Sequence, residues 1–73
     1  MPESERYSSR RELFKALMAK VDADAYPSTT MLDIIESILT PDEVPTYVES
    51  LMTRIRNDQF PSISLIHRVQ NLA

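Results

Sequence analysis

The second half of this chain repeats the first at a spacing of 34 residues. Leu17-Met18 returns as Leu51-Met52, and Asp24, Tyr26-Pro27-Ser28 return as Asp58, Phe60-Pro61-Ser62. The flanks follow the same register: Lys20-Val21 faces Arg54-Ile55, Met31-Leu32 faces Leu65-Ile66, Ile35 faces Val69 and Ile38 faces Leu72. A short internal repeat whose apolar positions recur every three or four residues is a repeated supersecondary unit. The expected fold is therefore all-α: four short helices arranged as two helix-loop-helix hairpins in a small bundle, each loop closed by aromatic-Pro-Ser.

Composition narrows the chemistry more than it identifies it. The chain has 73 residues, no cysteine, no glycine and one histidine. Disulfides and thiolate-held metals are ruled out, and a zinc site has too few ligands. Glycine-rich phosphate loops, dinucleotide fingerprints and two-residue hairpin turns need positive φ, so none can be built in standard form. No apolar run reaches membrane-spanning length, and the first eleven residues lack the apolar segment of a signal peptide. A soluble cytoplasmic protein without a cofactor is the expectation. At this size a single core is close to the limit of self-sufficiency, which leaves homodimerisation open.

Along the chain, residues 1–8 are polar and read as a flexible tail, with Tyr7 as a staple or a free ring. A single helical domain is expected over residues 9–73, with repeat 1 about 9–40 and repeat 2 about 41–73. Ser9-Arg10-Arg11-Glu12 has the form of a capping box. Leu13, Phe14, Leu17, Met18 and Val21 then form one stripe. Pro27 disfavours helix at Tyr26, and Ser28 is the expected N-cap of the second helix. Met31, Leu32, Ile34, Ile35, Ile38 and Leu39 cover more than half of that helix. It should be the most buried, with Asp33 and Glu36 on its wet side.

Thr40-Pro41-Asp42-Glu43 is a further start signal, with acids placed where the helix macrodipole favours them. Pro45 lacks the N–H that a second turn would use, and Thr46-Tyr47-Val48-Glu49 offers another capping box. The expectation is a short turn at 41–44, then a third helix from about Pro45, separate or continuous with a kink. Its stripe is Tyr47, Val48, Leu51, Met52 and Ile55. Ser62 should cap the fourth helix, with Leu65, Ile66, Val69 and Leu72 inward. Roughly twenty buried apolar side chains, at about 1.5–3 kcal/mol each, would offset chain entropy only narrowly.

Few residue groups suggest chemistry. Asp22, Asp24 and Asp33 fall on positions 1, 3 and 12 of a calcium loop, but Tyr26 and Pro27 occupy a ligand and the glycine position. The second copy puts Arg56 and His67 where carboxylates belong, so helix-end acids explain the pattern better. His67 alone suits acid–base work near neutral pH, and no nucleophile has an obvious partner. The chain reads as a non-enzyme with no catalytic or metal-binding residues. The Tyr26-Pro27 and Phe60-Pro61 pairs read as loop anchors whose rings close the hairpin ends, with peptide docking as the alternative.

Charge is laid out unevenly. No Lys or Arg lies between Val21 and Thr53, while that stretch carries Asp22, Asp24, Asp33, Glu36, Asp42, Glu43 and Glu49. Cations collect at both ends, with Arg54, Arg56 and Arg68 at the back. An acidic docking face made by Asp33, Glu36, Asp42, Glu43 and Glu49 would steer a basic partner protein. Arg54, Arg56 and Arg68, with His67, form a second candidate face. The net charge of −3 disfavours direct DNA binding, although Ser62, Ser64, His67, Arg68, Gln70 and Asn71 would suit a recognition helix.

The stretch Met52-Thr53-Arg54-Ile55 through Asp58-Gln59-Phe60-Pro61-Ser62-Ile63 is similar to the end of the Hha/YmoA family of small bacterial regulators. The Leu39-Thr40-Pro41-Asp42-Glu43 start also resembles that family, and the helix-loop-helix rhythm resembles the YmgB/AriR type. The chain has no tryptophan in its last helix and lacks the Asp-His-Arg-x-Ala-Glu segment, so no partner-binding residue is carried over. The resemblance implies a protein that modulates transcription or signalling by binding a regulator, nucleoid or transcription protein. The expectation is thus a regulatory adaptor acting by protein–protein contact. The alternatives are a phage- or plasmid-type inhibitor of a host transcription protein, and a DNA-binding helix-turn-helix-like dimer.

Overall fold

A computed structural model describes the backbone of residues 3–24 and 26–72, with side chains from residue 9 onward within those ranges. The described residues form four helices: α1 (Glu3–Ala23), α2 (Thr29–Ile38), α3 (Val44–Asn57) and α4 (Ile63–Leu72). They fall into two compact units, Met1–Leu39 and Thr40–Ala73, divided at the junction between the sequence repeats. In the first unit α1 packs on α2, and in the second α3 packs on α4. Each unit is a helical hairpin.

In the first hairpin, no glycine or proline interrupts residues 3–23, and glutamate and arginine are good helix formers even without an apolar stripe. Helix α1 therefore already runs from Glu3, and Ser9 stands inside it instead of capping it. Met1 and Pro2, and the side chain of Tyr7, lie outside the described residues. The helix buries Phe14, Met18 and Val21, one stripe at spacings of four and three. Its last turn holds Lys20, whose carbonyl accepts from Asp24 N–H at 3.1 Å and whose charge suits the helix C-terminus.

Ser28 then caps α2 as expected. Its backbone is extended (φ −65°, ψ 137°), and its hydroxyl accepts from Met31 N–H at 3.2 Å. Leu32 and Ile35 are buried, whereas Met31, Ile38 and Leu39 are half-buried and Ile34 is exposed. Arg10 closes the hairpin at its other end, with Nη1 donating to Ile38 O at 2.8 Å. That bond places a cation on a carbonyl left over at the α2 C-terminus.

The second hairpin opens on a compact turn. Glu43 N–H donates to Thr40 O at 2.9 Å, and Thr40 N–H donates back to Glu43 Oε1 at 3.1 Å. This is the reaching-back half of a capping box, here built on Thr40 and Glu43. The Thr40 hydroxyl donates to Asp42 Oδ1 at 2.6 Å instead of serving the helix. Helix α3 starts immediately afterwards at Val44 and accommodates Pro45 in its first turn, where an N–H has no intrahelical acceptor. Thr46 is consequently inside the helix, and the capping box expected at Thr46–Glu49 does not form.

Helix α3 buries Tyr47 and Leu51 completely and ends at Asp58, whose N–H donates to Arg54 O at 3.0 Å. After Phe60-Pro61, Ser62 O accepts from Ile66 N–H at 3.2 Å and α4 begins. Leu65 is the buried residue of that helix. Eight apolar side chains are buried among the described residues, fewer than half of the roughly twenty expected. The remainder are half-buried or exposed.

A candidate interaction surface

The nine residues singled out by charge occupy very different environments. Asp33 is exposed on α2, one turn ahead of the half-buried Glu36. Asp42 is exposed in the Thr40–Glu43 turn, where it accepts the threonine hydroxyl. Glu43 is buried, with 7 % of its surface accessible and its carboxylate turned onto Thr40 N–H. That carboxylate belongs to the turn. Glu49 is exposed on α3 and accepts from Arg56 Nη1 at 2.9 Å.

Glu49 and Arg56 stand seven residues apart, two helical turns along one face. One expected acidic residue and one expected basic residue thereby meet on a single helix. Both side chains keep more than half of their surface in water, so the bridge adds little to stability and can exchange for a partner's charge. Arg54 and Arg68 are half-buried, and His67 is exposed on α4.

The loops hold what sequence reasoning misjudged. Tyr26 is 94 % exposed and Phe60 is 87 % exposed. Neither ring closes a hairpin. Each precedes a proline and so is held out of the helical region, and each sits in a short connection whose ends are tied by backbone and serine bonds. Ser28 and the Ser62 carbonyl serve the first turns of α2 and α4, and the rings stay outside. The signal was present in the sequence, because both aromatics lie off the apolar stripes of the helices they join.

On either side of Tyr26 in the chain, the first hairpin carries exposed carboxylates. Asp22 and Asp24 are exposed at the end of α1, and Asp33 and Ile34 are exposed on α2. Asp24 forms no ion pair among the described residues. Helix α2 contains no Lys or Arg. The equivalent positions of the second hairpin hold Arg56, Asp58, His67 and Arg68. The two hairpins thus share a loop form and differ in charge.

Among the described residues, no group of three or more His, Asp or Glu side chains comes together in a way that could hold a metal ion. No described helix is long and apolar enough to cross a membrane. No family model, no curated protein and no solved structure matches this chain.

Proposed function

We propose that this protein is a non-enzymatic regulatory adaptor that captures a protein partner on the acidic loop of its first hairpin. The observation that supports the reading is Tyr26, 94 % exposed and accompanied in that hairpin by the exposed carboxylates of Asp22, Asp24 and Asp33. An exposed tyrosine offers a large, stiff contact surface with a polar tip, the kind of side chain that dominates binding energy at protein interfaces. The carboxylates would steer a basic surface toward it and set its register. A regulator, nucleoid or transcription protein with an apolar pocket rimmed by Lys and Arg has the matching chemistry.

The adaptor reading is tested with three purified proteins: wild type, Tyr26→Ser and Asp24→Lys/Asp33→Lys. Each is used to capture and then titrate the partner from the cells of origin. Losing a central aromatic anchor should weaken binding by about 2 kcal/mol, roughly thirtyfold. The charge-reversed protein should bind more weakly with a flatter dependence on salt. Equal capture by all three proteins would sink the acidic-loop reading. Glu43 is left out of the reversal because its carboxylate holds the Thr40 turn.

A further inference from the structure

Among the described side chains, helix α4 is the one helix that exposes no Asp, Glu, Lys or Arg. Phe60 is 87 % exposed and Ile63 is 65 % exposed, and Ser64, His67, Gln70 and Asn71 are exposed after them. Positions 63, 67, 70 and 71 recur at helical spacing and lie along one side of α4. The helix has no acidic residue, and its one Lys or Arg, Arg68, is half-buried. Each of the other three helices exposes at least one charged side chain among its described residues: Arg11, Glu12 and Lys15 on α1, Asp33 on α2, Glu49 and Arg56 on α3. Depletion of charge around exposed aromatic and aliphatic anchors marks the core of an interface.

We propose that this stripe is a self-association surface and that its occupant is the same stripe on a second copy of the chain. The argument is self-complementarity. In a twofold interface every group meets the same patch on its partner, so any net charge on the patch would repel its own image. This stripe holds no Asp, Glu, Lys or Arg. Its polar members are a serine hydroxyl, an imidazole and two side-chain amides, groups that offer both donors and acceptors. Such groups can satisfy their own copies. Phe60 and Ile63, set close to the twofold axis, would form the dry centre, with the polar positions as the rim.

A charged partner gains nothing comparable here. DNA in particular would find no exposed Lys or Arg along the stripe to neutralise its phosphates. A phenylalanine offers about 150–250 Å² for burial, and a ten-residue helix is about 15 Å long, so the paired stripes stay at the small end of specific interfaces. The dimer is therefore a weak, concentration-dependent one. The inference is independent of the acidic loop, since it concerns the other hairpin. The failure of either leaves the other standing.

The test is sedimentation of the full chain from about 10 µM to about 1 mM, a range chosen for a micromolar-class equilibrium. The weight-average mass should rise from 8.4 kDa toward twice that value. Phe60→Asp/Ile63→Asp should weaken association at least about tenfold, with the helical circular dichroism and melting temperature unchanged because both side chains are exposed. A geometric check uses the absence of native cysteine. Ile63→Cys should form an intermolecular disulfide rapidly under mild oxidation, and Thr46→Cys, exposed on α3, should not. A monomer throughout the range, undiminished association of the double variant, or equal crosslinking at both cysteines would overturn the proposal. So would a monomer that shifts random duplex DNA and loses the shift on Gln70→Ala/Asn71→Ala.

Discussion

Two polar side chains support the fold from positions that look like surface residues. Glu43 is buried and gives its carboxylate to Thr40 N–H. Glu43→Ala should reduce stability by about 1–2 kcal/mol, because it orphans that N–H and empties a buried site. Glu43→Gln keeps an acceptor and should lose less. Urea unfolding separates the two, with the midpoint moving and the slope unchanged. Arg10 does similar work for the first hairpin through its bond to Ile38 O. Arg10→Met preserves the aliphatic stem and removes the donor, with an expected loss of about 1–2 kcal/mol. At this chain length each kcal/mol lowers the melting temperature by about 4–8 °C. Lys15→Met should stay within about 0.5 kcal/mol, since the Lys15–Glu12 pair at 3.6 Å is mostly in water.

At the scale of the helices, the repeat is truer in sequence than in burial. Copy one buries Phe14, Met18 and Val21 on α1 and Leu32 and Ile35 on α2. Copy two buries Tyr47 and Leu51 on α3 and Leu65 on α4. Shifted back by 34, these last three fall on Leu13, Leu17 and Met31, none of which is buried in copy one. Each buried set in copy two lies one residue earlier, a turn of about 100° around the helix. Adjacent apolar doublets make both settings available: Leu13-Phe14, Leu17-Met18 and Met31-Leu32 against Tyr47-Val48, Leu51-Met52 and Leu65-Ile66. Leu51→Ala should therefore cost about 3–5 kcal/mol, and the repeat-equivalent Leu17→Ala about half of that or less, as measured by denaturation.

The same doublets explain how much could be read beforehand. Helix existence, the Ser28 cap and the breaks at Pro27 and Pro61 follow from local chemistry, and the structure has them where the sequence predicts. Which member of a doublet faces inward depends on packing between elements, which no local window contains. The first part of α1, residues 3–8, is not legible because a polar stretch has no apolar periodicity to detect. The candidate surface was half legible: the acidic bias of the first hairpin is a matter of composition, but the outward rings of Tyr26 and Phe60 are a matter of loop geometry.

For the molecule as a whole, the balance between net charge and exposed apolar surface is narrow. The charge is −3 at neutral pH and vanishes near pH 4.9. Repulsion between copies disappears there while Tyr26, Phe60 and Ile63 remain in water. Light scattering as a function of pH should peak close to that value, and Tyr26→Ser/Phe60→Ser should flatten the peak. The chain has no tryptophan, so its ultraviolet emission comes from tyrosine alone. Tyr47 is sealed from solvent and Tyr26 is almost wholly bathed in it. A water-borne quencher such as iodide should therefore darken Tyr26 and spare Tyr47. With the third tyrosine replaced by Tyr7→Phe, the protein carries two native optical reporters, one for its interior and one for the proposed contact with its partner.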